Sequence, residues 1–312
     1  MTKLGHKAVN RVLSRCEGAF ADHTLRGYRA DLAVFSAWCE RRGVCVYPVT
    51  SDVVADFVTD EMKRVRPSTL RRRLAAIRFV HVYSDQPDPT KASAVRLAMR
   101  RAAMLKARRP QQSEGLTFDR LQRILHACPR TLEGCRDAAL ISVGYDTLAR
   151  SCELVAMEVG DIALVGDAPC VLVRWSKSDQ AGDGRVAWLS EETVQRTRDW
   201  LAISGICTGP VFRAVHRGRP SGKCMHNSSV RRAVKKAARR AGLGAEAVHL
   251  SGHSMRIGGA QDMLVTGFDT LAIMQAGGWK SPQVVLRYVE HAKAADLHRR
   301  RWAKLNAYSD TG

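Results

Sequence analysis

Between residues 106 and 117 the apolar periodicity of the chain breaks down. The run Ala-Arg-Arg-Pro-Gln-Gln-Ser-Glu-Gly-Leu carries Pro110 and Gly115 and no repeating apolar face, which is the composition of a linker. This interruption constrains the fold more than any other feature, because each flanking segment must then bury a core of its own. With 312 residues in all, the chain is long enough for two domains.

Upstream of the break, Leu25, Tyr28, Leu32, Phe35 and Cys39 step by three, four, three and four residues. That is one face of a helix, which Gly43 can end. Further helices are expected to begin near Ser51, near Ser68 with Leu70, Leu74 and Ile77 inward, and near Thr90. Residues 20–107 therefore read as an all-α domain, behind an extension at 1–19 and before a linker at 108–116. Downstream, Thr117 is placed to cap a helix burying Leu121, Ile124 and Leu125, and helical patterning runs to about Val159. Val171–Trp175 and Val186–Leu189 are β-like runs around a Gly- and Asp-rich turn, the pattern of an antiparallel pair. Helices are expected again at Glu191, Ser228, Ser254 and Pro282, the last with Ser281 as its N-cap. The second domain spans 117–291, and a tail occupies 292–312. The fold class is mainly α with a small antiparallel β-sheet.

Lysine and arginine number 50 against 30 acidic residues, a net charge of +20. Such an excess points to a polyanionic partner. It is shared between the halves: residues 1–110 hold 22 basic and 10 acidic side chains, and the remainder holds 28 and 20. The nine cysteines, at 16, 39, 45, 128, 135, 152, 170, 207 and 224, are odd in number and irregularly spaced. They form no Cys-x-x-Cys and no zinc-ligand cluster, so reduced, small buried side chains are expected and no metal. No apolar run reaches the ~20 residues that span a bilayer, and no signal-peptide stretch opens the chain. A soluble protein of the cytoplasm is the expectation.

The last sixty residues hold an ordered set of chemistry-bearing groups: His253 and Arg256 in Ser-Gly-His-Ser-Met-Arg, Trp279 ending Met-Gln-Ala-Gly-Gly-Trp, and Tyr288 on a short helix. Upstream, Asp-Thr-Leu-Ala-Arg-Ser-Cys-Glu-Leu adds Arg150 and Glu153, and Trp-Ser-Lys-Ser-Asp-Gln-Ala-Gly-Asp-Gly adds Lys177. Cleaving a phosphodiester without metal needs a nucleophile, positive charge on the non-bridging oxygens and an acid for the leaving oxygen. All three are present. Taken singly each residue has a plainer role, Tyr288 in a core, His253 as a helix cap, Arg150 as one surface charge among many. Their joint order and spacing is what overturns those readings.

Together the set resembles the catalytic constellation of the tyrosine recombinase (phage integrase) family, over roughly residues 20–305. The resemblance implies a two-domain architecture, with a helical core-binding domain that clamps DNA and an α+β catalytic domain. It implies that Arg150 and Arg256 clamp the scissile phosphate while His253 and Trp279 donate hydrogen bonds to it. Many family members carry histidine at the tryptophan position. An indole only donates, which leaves His253 as the imidazole that handles protons. Lys177 would protonate the leaving 5′-oxygen, and Tyr288 would form a 3′-phosphotyrosyl bond that keeps the ester energy for rejoining. No cofactor is implied. Glu153, three residues after Arg150, shares its helix face and would orient a neighbouring catalytic group.

Two basic surfaces accompany the motifs. Arg231, Arg232, Lys235, Lys236, Arg239 and Arg240 repeat along one helix opposite Val230, Val234 and Ala238, a pattern suited to a DNA groove. Arg71, Arg72, Arg73 and Arg78 lie on the helix of Leu70, Leu74 and Ile77, placed for phosphates or the major groove. The implied partner is double-stranded DNA with an inverted-repeat site, bound by a dimer per site and a homotetramer per synapse, with exchange through a Holliday junction. The tail, with Leu297, Trp302 and Leu305, would dock on a neighbouring protomer or else on its own domain. Two other functions fit parts of the pattern. A type IB topoisomerase shares the chemistry, and a catalytically silent DNA-binding or architectural protein shares the charge.

Overall fold

The structure, a computed structural model, describes residues 2–105, 112–174 and 184–290, with side chains from residue 7. It divides into two compact units, Met1–Pro110 and Gln111–Gly312.

The described part of the first unit is helical: α1 (Thr2–Arg15), α2 (Asp22–Arg42), α3 (Ser51–Glu61), α4 (Pro67–Val82) and α5 (Ser93–Leu105). The stepped residues of α2 face inward, with Leu25, Phe35 and Cys39 almost fully buried. Phe57 of α3 meets Phe35 edge-on at 4.9 Å between ring centroids, a favoured aromatic arrangement. The helix expected near Thr90 begins later, because Pro89 opens a 3₁₀ turn at Pro89–Lys91 that the Asp88 carboxylate caps by accepting from the Thr90 N–H at 3.0 Å. The first nineteen residues are not a mere extension: α1 sets Val12 and Leu13 into the same core.

Polar groups within this core bear on the basic surface. Asp31 is buried and accepts from Arg72 at 2.7 Å. Arg73 pairs with buried Glu61, and its side chain is only 11% exposed. Its charge is thus spent joining α3 to α4, whereas Arg71, Arg72 and Arg78 are exposed.

His81 is buried with its Nδ1–H donating to the Ile77 carbonyl at 2.9 Å and its Nε2 accepting from the Val49 N–H at 3.1 Å. That bonding requires the neutral ring. Burial lowers its pKa from the usual 6.5, opposed by the Ile77 carbonyl and the Asp88 charge. On acidification the unfolded chain therefore takes the proton first. The stabilisation is complete above about pH 6.5 and is lost as pH falls toward the lower folded value. Denaturant melts at neutral pH and at about pH 5.5 are expected to show a drop in stability that His81→Gln makes shallower.

The second unit places helices around two small sheets. Its helices are α6 (Phe118–His126), α7 (Leu132–Asp146), α8 (Ser151–Ala156), α9 (Glu191–Ser204), α10 (Asn227–Arg240), α11 (Ser254–Thr266), α12 (Thr270–Gly277) and α13 (Pro282–Val289). Strands β1 (Ile162–Ala163), β2 (Cys170–Val173) and β3 (Arg185–Trp188) form an antiparallel sheet in that order, with Val171 opposite Ala187. A separate hairpin pairs β4 (Arg213–His216) with β5 (Arg219–Cys224). The main core gathers Leu140, Trp200, Phe212, Val234 and Met255, and Trp200 donates its indole N–H to the Val211 carbonyl at 2.9 Å. A smaller core of Leu148, Ala260, Ile273, Trp279 and Val285 lies under the C-terminal helices.

Thr117 and Ser281 stand at the expected N-cap positions, but neither side chain makes the capping bond. The Phe118 N–H is bound by Asp262 at 2.7 Å instead of by Thr117, and Ser281 Oγ lies 3.2 Å from Gln283 Oε1 rather than bonding its helix backbone. No helix among the described residues is long and apolar enough to cross a membrane.

Candidate active site

Arg256, in the first turn of α11, is the most deeply placed charge of the site, at 1% exposure. A buried guanidinium is costly unless its N–H groups are satisfied. Here Nη1 donates to the Leu148 carbonyl and Nη2 to the Gly277 carbonyl at 2.8 Å, while the plane lies 4.0 Å from the Trp279 ring centroid. Burial, then the Arg150 charge, lowers its pKa to about 10, with Glu153 and Tyr288 opposing. It is still a cation at neutral pH.

The two acceptors come from tight turns. Leu148, between α7 and α8, holds a left-handed φ of 51° although it is not glycine. Such a conformation persists only where the surroundings impose it, and here the side chain is locked in the smaller core. On the other side, α12 ends at Gly278 with φ 63°. A Cβ on Gly277 would fall 2.1 Å from the Trp279 ring, and one on Gly278 would fall 3.0 Å from Arg185 Cδ. The Gly-Gly-Trp motif therefore exists to fold the indole back against its own chain and to let an arginine pass beneath.

Arg150 stands at the N-cap position of α8, and Glu153, one turn on, holds it twice. One carboxylate oxygen accepts from the Arg150 N–H at 2.8 Å, and the other meets Nη1 at 2.5 Å. Glu153 is 2% exposed and Arg150 is 22% exposed, so the carboxylate forms the floor and the guanidinium keeps a solvent-facing side. His253 precedes α11 with its N–H donating to Ser251 Oγ at 3.1 Å. Its ring reaches solvent but is crowded by protein. That crowding, then Arg256 and Arg150, lowers its pKa from 6.5, with Glu153 opposing. It is neutral at pH 7 and able to donate or accept one proton.

Tyr288 lies on α13, its ring centroid 5.5 Å from that of Trp279 at 43°. Gln261 of α11 donates to its backbone carbonyl at 3.2 Å. The structure thus brings Arg150, Glu153, His253, Arg256, Trp279 and Tyr288 into one electrostatic neighbourhood. Lys177 lies outside the described residues.

Arg185, which the sequence reading did not single out, belongs to this neighbourhood too. It opens β3 and donates to the Ala276 carbonyl at 2.7 Å and the Thr147 carbonyl at 2.6 Å. Burial lowers its pKa, with Glu153 opposing and Arg150 adding to the effect.

On α10, Val230, Ala233, Val234, Ala237 and Ala238 are buried, and Arg231, Arg232, Arg239 and Arg240 are exposed. Lys235 donates to the Val248 carbonyl at 2.9 Å, and Lys236 pairs with Glu133 at 2.5 Å.

Comparison with known proteins gives the family of the chain. The model of the phage integrase family matches residues 114–295, and that of the phage integrase N-terminal SAM-like domain matches residues 15–85. An integrase/recombinase named as a XerD homolog, from Selenomonas ruminantium, is 30% identical over 288 residues, covering 88% of this chain and 84% of that protein. The Cre recombinase of Escherichia phage P1 is 26% identical over 293 residues, covering 88% and 85%. Among solved structures, the XerH site-specific recombinase bound to a palindromic difH substrate superposes with a TM-score of 0.64 at 15% identity, covering 86% of this chain and 76% of that one. The chain belongs to the phage integrase family, the tyrosine recombinases, enzymes that cleave and rejoin DNA strands.

Proposed function

We propose that the six clustered residues, with Lys177, carry out site-specific strand exchange by transesterification. Tyr288 Oη attacks the scissile phosphorus and gives up its proton. The bond from phosphorus to the 5′-oxygen breaks, and Lys177 supplies a proton to that oxygen. The product is a 3′-phosphotyrosyl link and a free 5′-hydroxyl. Attack of a 5′-hydroxyl from another strand reverses the step, and because one ester replaces another no ATP is consumed. Arg150 and Arg256 take up the charge that develops on the non-bridging oxygens, each presenting a planar fork that stays cationic. Trp279 donates from its indole N–H, and neutral His253 accepts the proton that Tyr288 gives up. Glu153 acts through Arg150.

The observation that carries this reading is the placement of Arg256 and Tyr288 against one indole, with Arg256 stacked on Trp279, Tyr288 packed against the same ring system, and the Arg150 charge close enough to lower the Arg256 pKa. The helical first unit serves as the DNA clamp, with Arg71, Arg72 and Arg78 outward. On α10 the exposed Arg231, Arg232, Arg239 and Arg240 meet the duplex, with Lys235 and Lys236 flanking them. A dimer occupies each inverted-repeat site, and two sites join in a tetramer through tail docking.

The test is to trap covalent adducts from a pool of nicked random-sequence duplexes and sequence the linked DNA. An enriched inverted repeat is expected, whereas adducts without sequence preference would contradict site specificity and indicate a topoisomerase. On the selected site, deleting residues 296–312 is expected to leave dimers that cleave but do not form tetramers. Tetramers persisting without the tail would refute the docking.

A further inference from the structure

Arg185 and Arg256 bind the same two backbone segments, one residue apart. Arg256 takes the carbonyls of Leu148 and Gly277, and Arg185 takes those of Thr147 and Ala276. The two guanidiniums form adjacent rungs between the turn after α7 and the end of α12. Successive peptide units are rigid planes whose Cα atoms sit ~3.8 Å apart, so displacing Thr147 or Ala276 must displace the acceptor beside it.

We propose that Arg185 is a positioning residue for strand cleavage: its two-carbonyl clamp fixes the pair of acceptors from which Arg256 is hung, and so sets where Arg256 presents its charge to the scissile phosphate. This rests on the reading of Arg256 as part of the phosphate clamp.

Three features support the assignment. The first is geometric economy. Each terminal nitrogen of Arg185, Nη1 and Nη2, serves a different segment, so the side chain bridges two parts of the chain rather than satisfying one. The second is the opening left for it, since Gly278 has no Cβ where one would stand 3.0 Å from Arg185 Cδ and 3.2 Å from Nε. The third is location. Arg185 is the first residue of β3, so the rung also fastens the three-stranded sheet to the segment that carries Trp279. A lysine cannot reproduce this, because a single ammonium lacks the planar fork that reaches two separated acceptors.

The experiment measures single-turnover adduct formation on the selected nicked duplex by the full-length wild type, Arg185→Lys, Arg185→Gln and Tyr288→Phe. Melting temperature and DNA affinity are read on the same preparations. The Arg185 variants are expected to keep a cooperative melt, at a lower temperature because a carbonyl loses its donor, and to bind like the wild type, yet to form adduct about 100-fold more slowly, the penalty of misplacing a charge-stabilising group by about 1 Å. A duplex with a methylphosphonate at the scissile position removes the charge that Arg256 must neutralise, and there the deficit should shrink severalfold.

Wild-type rates in both variants would overturn the proposal. So would a deficit unchanged on the methylphosphonate, or loss of the cooperative melt in both variants, because each marks Arg185 as a support of the fold alone. A wild type that forms no adduct, like Tyr288→Phe, would instead overturn the underlying reading of the site, and the proposal with it.

Discussion

Tyr288→Phe is expected to abolish the covalent protein–DNA adduct while leaving DNA affinity and the melting temperature nearly unchanged. The substitution removes one oxygen and keeps the ring that packs on Trp279 at 5.5 Å and belongs to the core of Leu148, Ala260 and Val285. A half-buried hydroxyl away from the main core contributes no more than ~0.5 kcal/mol to stability. The chemical consequence is of another order. Without the nucleophile the remaining charge-stabilising groups have no bond to form, so the rate should fall by ~10⁴-fold or more. Gel retardation and detergent-resistant adducts on one DNA preparation separate the two effects. Retained binding with retained adduct would show that another residue attacks.

Arg256→Lys is expected to cost both rate and stability, and this sets it apart from Tyr288→Phe. The guanidinium serves two carbonyls from different turns and lies over the Trp279 ring at 4.0 Å. An ammonium can meet one of these carbonyls, leaving the other buried without a donor, at a cost of ~1–3 kcal/mol. Weaker contact with the indole adds ~1 kcal/mol. Adduct formation should fall a further ~10²–10³-fold through loss of a fixed charge-stabilising fork. Chemical denaturation with single-turnover cleavage measures the pair of effects. A variant as stable as the wild type would contradict the buried double acceptor, and one as active would remove Arg256 from the phosphate clamp.

What could be read from the sequence follows a physical division. Long amphipathic helices announce themselves, and the stepped apolar residues of α2 and the basic face of α10 emerge where their periodicity places them. The candidate site was legible because its residues fall in short runs whose order carries the pattern. The rest depends on contacts that no local window contains. The β4–β5 hairpin was not foreseen because Arg219–Cys224 contains proline, glycine, serine and lysine, a poor signal for a strand. The eight-residue α12 is too short to show a period against its flanking glycines. Thr117 and Ser281 have the right chemistry for caps, yet Asp262 reaches the α6 N-terminus from 144 residues away. Arg185 was hidden for the same reason, with partners 38 and 91 residues distant.

The first four arginines of the basic surface teach the complementary lesson. From sequence, Arg73 is indistinguishable from Arg71 and Arg72. In the fold its neighbour on α3 is Glu61, and a side chain 11% exposed in an ion pair is held by the domain itself. Pairing alone does not set it apart, since Arg72 also meets Asp31 yet its side chain is 62% exposed; burial of the Arg73 ion pair does.

The central claim is that Tyr288 becomes esterified to a DNA 3′-phosphate, and the most direct measurement is to digest the trapped complex with protease and locate the nucleotide by mass spectrometry. The chain has six tyrosines, so the linked position is informative. A nucleotide on Tyr288, within the peptide of α13, together with a free 5′-hydroxyl on the complementary cleavage product, is the expected result. Attachment to any other residue, or to a DNA 5′-end, would contradict the account.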